Sequence, residues 1–256
     1  MLPRISVVTP SYNQGEYLSD TLGSIHDQGY PNLEHIVMDG GSTDNSVEII
    51  RGYSSRLAFW TSERDGGPNS ALVDGFGRAS GDILCWLNSD DLFEPGCLFE
   101  VARFFAEHPE AEVVYGDAVL VDRSGQPIRP KKEHPFNRFI WLHDYNFIPQ
   151  PSTFWRRQLY DRVGGLDKSF HLAYDGDLWV RFAEVARIHH VRRKWSRMRI
   201  YAEQRNQKLR AQSDLEDMRI RARYVEEQPM VMRRAKSVAA KGLRISWKLA
   251  TGCYWY

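Results

Sequence analysis

Apolar residues in the first hundred positions come in short runs that alternate with longer periodic stretches. Ile5-Ser6-Val7-Val8-Thr9 is β-branched, is halted by Pro10 and reads as a buried strand. Residues 16–28 follow with Leu18, Leu22 and Ile25 at helical spacing. His35-Ile36-Val37-Met38 is a second strand, and Val47, Ile49 and Ile50 mark the next helix. Leu57–Thr61 and a helix over about 69–80 form a third unit. Asp82–Leu87 and a helix over about 95–107 form a fourth. Four strand-then-helix units imply a mostly parallel sheet with helices on both faces. Right-handed crossovers place the C-terminal ends of those strands on one edge, where open α/β sheets bind ligands. The polar clusters Pro10–Asn13, Asp39–Asp44, Ser62–Gly67 and Asn88–Asp91 all fall there.

From about 111 the alternation changes. Glu112–Asp117 and Ala118–Asp122 read as two strands, with a turn at Arg123-Ser124-Gly125-Gln126. Phe147–Trp155 holds Pro149-Gln150-Pro151 and then an extended stretch. Arg156–Val163 is a short helix ended by Gly164-Gly165, and residues 175–185 form another. This half should add mixed strands as the far wall of a cleft. Beyond 187 the chain is Arg-rich and reads as largely helical.

Charge divides the chain in the same way. The 256 residues carry a net charge of +1, but residues 1–186 hold 16 Lys+Arg against 27 Asp+Glu, and residues 187–256 hold 18 against 6. An acidic body with a basic tail points to an anionic partner for the tail, nucleic acid or lipid, or to the tail packing on the body. The three cysteines, Cys85, Cys97 and Cys253, show no metal-type spacing, and so sparse a set fits reduced thiols in the cytoplasm. The first residues show no signal-peptide core, and no apolar run approaches the roughly 18–20 residues needed to span a bilayer. Membrane contact is therefore expected to be peripheral.

Three motifs carry candidate chemistry. Asn88-Ser89-Asp90-Asp91 closes an apolar strand, and two adjacent carboxylates there suit a hard divalent cation that takes its other ligands from water and phosphate. The same residues could instead cap a helix. Asp39 precedes a Gly-Gly turn, free to accept a hydrogen bond from a ligand, while Asp44 fits a helix cap. Tyr174-Asp175-Gly176-Asp177 opens a helix, where either aspartate could be a general base or serve the helix dipole. No GxGxxG follows a strand, so the dinucleotide fingerprint is absent.

In order, the pieces Val7–Asn13, Met38–Asp44, Ser62–Gly67, Ala79–Asp82, Leu87–Asp91 and Tyr174–Arg181 resemble the family-two glycosyltransferases of the GT-A fold. The resemblance implies an α/β GT-A catalytic domain over residues 1–190, with a nucleotide-sugar half to about 110 and an acceptor half over about 111–190. A basic helical extension over 191–256 completes the chain. It implies that Pro10 and Tyr12 line the nucleotide pocket, that Asp39 bonds the base and that Asp65 lies near the nucleotide. Asp91 is the implied metal ligand, with Asp90 beside it or nearer the donor's ribose or sugar. Asp175 is the implied catalytic base, with Asp177 the second choice, and Gln150 lies on the acceptor side. Two departures stand out: Asn88 where many relatives carry Asp, and Tyr174 where many carry Glu. The implied activity is inverting transfer from a nucleotide-diphosphate-sugar, a UDP-sugar favoured, with Mg²⁺ or Mn²⁺. A glycan or lipid-linked acceptor in cell-surface polysaccharide or glycolipid synthesis would receive the sugar.

Two other readings compete. A nucleotidyltransferase would show a basic phosphate loop after the first strand, yet Pro10–Gly15 has neither Lys nor Arg. A non-catalytic sugar-binding relative would not need Asp39, Asp90, Asp91 and Asp175 together. Nucleic acid is not expected as a partner, since the acidic body repels phosphate and no known motif is present. In the tail, Arg234, Lys241, Arg244 and Lys248 share a helical face, and Val231, Ala235, Val238, Ile245 and Leu249 share another. With Tyr254-Trp255-Tyr256 as an anchor, this helix fits the inner face of the cell membrane. Packing on the domain or on a second subunit of a homo-oligomer is the alternative.

Overall fold

In the computed structural model, which describes residues 2–225 and 229–253, the expected parallel alternation is present. β1 (Ile5–Ser11), β2 (Leu33–Asp39), β3 (Phe59–Ser62) and β4 (Ile83–Trp86) lie side by side in the order β3-β2-β1-β4, all parallel. Every residue of β1 and β4 is buried, as apolar runs without alternation require when both faces are covered. The cover comes from α1 (Leu18–His26), α2 (Ser46–Tyr53), α3 (Pro68–Arg78) and α4 (Cys97–Glu107). α3 lies very close to the sheet: a Cβ at Gly75 would stand 2.5 Å from Val8 Cγ1. α4 starts at 97 because a two-residue strand, β5 (Leu92–Phe93), takes the positions before it.

The second half closes the sheet with mixed strands. β6 (Val113–Val121), β7 (Pro127–Lys131), β8 (Thr153–Arg156) and β9 (Ile188–Arg199) continue the order as β4-β8-β6-β9-β5, with β7 paired to β6. Two corrections follow. The two strands expected over 112–122 are one continuous strand, and its hairpin partner begins after the turn. That turn is built on Asp122, whose Oδ1 accepts from the Ser124 and Gln126 N–H groups at 2.9 Å each. The stretch beyond 187, read as helical, opens with the twelve-residue β9, which crosses the boundary drawn at 190. Its charges are compatible with a sheet because Arg192 and Arg193 stay in solvent while the later arginines find partners: Arg197 pairs with Glu94 at 3.0 Å, and the Arg199 guanidinium lies over the Tyr17 ring. Strand preference of this kind is set by neighbours more than by residue type.

α5 (Arg138–His143), α6 (Arg157–Arg162) and α7 (Tyr174–Val185) flank this half. The floor beneath the strand ends is aromatic. Trp86 stacks on Trp179 at 5.7 Å and meets Trp155 edge-on at 5.5 Å, all three rings fully buried. The tail forms α8 (Arg205–Lys208), α9 (Arg210–Ala222) and α10 (Met230–Ala250). α10 docks through buried Ala240 and half-buried Trp247, which meets His134. Docking carries Arg244 and Lys248 inward, where they pair with Asp144 at 2.5 Å and Glu133 at 2.7 Å. The four basic residues expected on one exposed face are thus split, leaving Arg234 and Lys241 outward. Tyr254-Trp255-Tyr256 lie outside the described residues. Among those described, no helix is long and apolar enough to cross a membrane.

Candidate active site

The C-terminal edges of β1, β2, β3 and β4 open onto a cleft of about 1640 Å³. Pro10, Tyr12, Asp65, Asp90, Asp91, Gln150 and Asp175 all line it; Asp39 and Asp177 are not among its lining residues. On the β1 side the wall is knitted by side chains. Asn13 Oδ1 accepts from the Thr43 N–H at 2.8 Å, and Ser42 Oγ accepts from the Asn13 N–H at 2.8 Å. Asp44, one residue before the α2 N-cap Asn45, accepts from the N–H groups of Gly15 and Ser46 and so ties the β1 loop to the start of that helix. Tyr12 stands out from this wall, 58% exposed, with its ring face available for stacking.

Asp39 lies beneath that wall, 1% exposed. Its carboxylate accepts from Ser42 N–H at 2.8 Å, Ser42 Oγ at 2.6 Å and Ser62 Oγ at 2.7 Å. A carboxylate has about four lone-pair sites, so one further donor is the most it can take. Gly41, at φ +80°, makes the turn that folds Ser42 back over it. Asp65 sits against Gly40 and accepts from the Gly67 N–H at 2.7 Å. Burial, helped by the Asp39 and Asp74 carboxylates, raises its carboxyl above the usual range against the pull of that N–H.

The acidic pair ends β4. Asp91 is buried, and its Oδ1 accepts from the Arg199 N–H at 2.9 Å. Burial first, and Asp90 second, hold its carboxyl well above an ordinary aspartate. Asp90 Oδ2 accepts from Tyr201 Oη at 2.9 Å and Gln204 Nε2 at 3.2 Å. Asn88 is explained by its partner: its Nδ2 donates to Gln150 Oε1 at 3.1 Å, while Gln150 Nε2 donates to Trp86 O at 2.9 Å. An aspartate at 88 would present a second acceptor to Gln150 Oε1. Gln150 therefore braces the acidic loop as well as lining the cleft.

Two adjacent carboxylates at a cleft wall fit a hard cation that completes its shell with water and substrate phosphate. A buried carboxyl raised by its neighbour's charge is a group that a cation would stabilise. Among the described residues no cluster of three or more His, Cys, Asp or Glu forms a self-sufficient metal cage.

α7 and the segment before β8 supply a further part of the cleft lining. Asp175 is half-buried, and its Oδ2 accepts from Asn146 Nδ2 at 3.1 Å. Burial pushes its carboxyl up to about 6, with Asp217 adding to the rise, while the Gly176 N–H and Asn146 oppose it. Asp177 is of another kind: its side chain is 0% exposed and ion-paired to Arg181 at 2.7 Å and Arg223 at 3.0 Å. Further along the cleft, Glu133 holds both Lys131 and Lys248 at 2.7 Å. Arg199, Tyr201 and Gln204 around the acidic pair were not singled out from the sequence. The Arg-rich stretch beyond 187 carries no apolar strand pattern that would bring them to a strand end.

This arrangement has counterparts among known proteins. An uncharacterized glycosyltransferase of Mycobacterium tuberculosis is 33% identical over 189 residues, covering 72% of this chain and 70% of that protein. The O-antigen biosynthesis protein RfbC of Myxococcus xanthus is 30% identical over 192 residues, covering 72% of this chain but 15% of RfbC. Among solved structures, S. aureus TarS 1-349 in complex with UDP-GlcNAc superposes with a TM-score of 0.68 at 20% identity, covering 91% of this chain and 70% of that one. The mannosyltransferase PcManGT from Pyrobaculum calidifontis, in complex with GDP-Man and Mn²⁺, gives 0.65 at 20%, covering 99% and 80%. These likenesses identify the mixed sheet as a GT-A fold. Residues 6–166, which supply the donor-side wall and the acidic pair, match the profile of Glycosyl transferase family 2, and the chain belongs to that family.

Proposed function

We propose that this glycosyltransferase performs a single inverting displacement on a nucleotide-diphosphate-sugar, with Asp175 as the base. The observation that carries the reading is the sharing of one cleft by two unlike acidic sites. The Asp90–Asp91 pair at the end of β4 and the lone Asp175 at the start of α7, held by an amide and raised to about 6, both line it. Asp91, with Asp90 beside it, would hold a Mg²⁺ or Mn²⁺ ion, whose charge stabilises the departing diphosphate. Tyr12 stacks on the base and Pro10 and Asp65 flank the nucleotide; Asp39, buried beneath Ser42, would take a base N–H once that side chain turns aside. Asp175 accepts the proton of the acceptor hydroxyl as its oxygen bonds the anomeric carbon. The bond to the diphosphate breaks on the opposite face, its electron pair leaving with the nucleotide. A base near 6 is mostly ionised at neutral pH yet stronger than an ordinary aspartate, as general-base catalysis favours.

A UDP-sugar is the favoured donor, in line with the UDP-GlcNAc held by TarS, and the Mn²⁺ of PcManGT supports the metal. The acceptor belongs to the glycans of cell-surface polysaccharide or glycolipid synthesis, a reading supported by the likeness to RfbC, an O-antigen biosynthesis protein. A lipid-linked acceptor would also suit α10, which turns Val231, Val238, Ile245 and Leu249 to solvent beside Arg234 and Lys241. The test is a panel of nucleotide-sugars scored by hydrolysis and thermal stabilisation, with and without Mn²⁺. A response to one donor that requires the metal is expected. Stabilisation by no nucleotide under either condition would contradict the reading.

A further inference from the structure

The segment that delivers Asp175 is held from outside the family match, by the basic extension. α7 begins at Tyr174, and the residues leading into it, His171 to Ala173, have backbone N–H groups with no helical carbonyl to meet. One carboxylate satisfies three of them in succession. Glu216 of α9 accepts from His171 N–H at 3.0 Å through Oε1, and from Leu172 N–H at 2.8 Å and Ala173 N–H at 3.0 Å through Oε2. An anion at a helix N-terminus is also favoured by the helix dipole. The amides outweigh burial and hold the Glu216 carboxyl below its ordinary value, so it is charged at neutral pH. His171 and Leu172 line the same cleft as Asp175, so the clamped segment is itself cleft wall.

The rest of α9 grips the surrounding structure. Arg221 Nη1 donates to Leu142 O at 3.1 Å and Asp144 O at 3.0 Å, just before the Asn146 that holds Asp175. Arg223, the residue that caps the C-terminus of α9, reaches the buried Asp177 at 3.0 Å, one residue beyond Gly176. Both sides of the Asp175 carboxylate are thus referenced to one helix.

We propose that Glu216 is the positioning residue of the base: its carboxylate fixes the entry to α7 and so the place of Asp175 in the cleft. The inference rests on the assignment of Asp175 as the base. A misplacement of about 1 Å at a reacting group costs about 100-fold in rate, whereas the residues proposed for the donor, Pro10, Tyr12, Asp65 and Asp90, lie at the ends of β1, β3 and β4 and are not among the groups Glu216 bonds. Glu216 should therefore act on turnover and leave donor binding alone.

The experiment measures kcat, donor KM and backbone amide exchange in Glu216→Ala, Glu216→Gln and Asp175→Asn of the full chain. Glu216→Ala should lower kcat by about 10–100-fold, keep donor KM near wild type and speed exchange at 171–173. Glu216→Gln keeps the shape and one acceptor oxygen, so it should recover part of the rate and still fold if the alanine variant does not. Wild-type kcat in both Glu216 variants overturns the proposal. So does a fall in kcat with a matching rise in donor KM, or with unchanged exchange at 171–173. Wild-type turnover in Asp175→Asn would instead show that the base assignment had failed, whatever the Glu216 variants do.

Discussion

Neutralising Asp177 and neutralising Asp175 should move stability in opposite directions, although the two lie two residues apart on α7. Asp177→Asn leaves Arg181 and Arg223 beside a neutral group. Breaking a buried ion pair by removing one partner costs about 3–5 kcal/mol. Here the Arg223 side chain is 38% exposed and can rehydrate, and asparagine keeps the size and one acceptor. A loss of about 2–3 kcal/mol is therefore expected. At about 2–4 °C per kcal/mol for a chain of this size, Tm should fall by roughly 5–10 °C. Asp175 works the other way. Its folded carboxyl sits at about 6, above the ordinary 3.8, so the folded state binds the proton more tightly. Ionised Asp175 thus subtracts from stability above that range, and its contribution disappears as pH falls through 6 towards 4. At about 1.4 kcal/mol per pKa unit the full effect is about 3 kcal/mol. Partial contact with solvent and the loss of an acceptor for Asn146 reduce that to a gain of about 1–2 kcal/mol for Asp175→Asn at pH 7.5. Thermal denaturation of both variants at pH 7.5 and 4.5 reads this directly, and the Asp175→Asn gain should shrink at the lower pH. Equal losses in the two variants, or an unaltered Tm in Asp177→Asn, would refute the assignment of one carboxylate to the core and the other to the cleft.

Other consequences can be checked separately. Turnover at saturating donor should fall about tenfold per pH unit below about 6, as Asp175 takes up its proton; a flat profile down to pH 5 contradicts that. Asp91→Asn should abolish Mn²⁺-dependent thermal stabilisation by a nucleoside diphosphate, and persistence of that stabilisation would place the metal elsewhere. Gly75→Ala puts a Cβ 2.5 Å from Val8 Cγ1 and should cost about 1–3 kcal/mol in urea denaturation, with no cost if α3 can move away.

The donor half was legible because its residues obey local rules. β1, β2 and β4 are short, buried strands built around apolar runs, and each stops at a polar cluster on one sheet edge, so strand order and topology place those clusters together. The acceptor half was less so. β6 carries Gly116 and Asp117 in its middle, which divides the apolar pattern, while in space Asp117 is answered by His190 at 2.9 Å. β9 reads as charged because its arginines meet Glu94 and Tyr17, residues about a hundred or more positions away. Tyr201 and Gln204, 111 and 114 positions from Asp90, and Glu216, 44 positions from Leu172, were hidden in the same way, since their roles depend on contacts no local pattern encodes. The choice between Asp175 and Asp177, open from spacing alone, turns on burial and on two arginines, one of them in the tail.

Steady-state kinetics of Asp175→Asn and Asp177→Asn bear on the whole mechanism. With the responsive nucleotide-sugar and its metal, Asp175→Asn should lose about 10²–10⁴-fold in kcat at near wild-type donor KM, while folded Asp177→Asn keeps most of its turnover. Full turnover in Asp175→Asn together with loss in folded Asp177→Asn would contradict the assignment of the base and of the cleft wall that carries it.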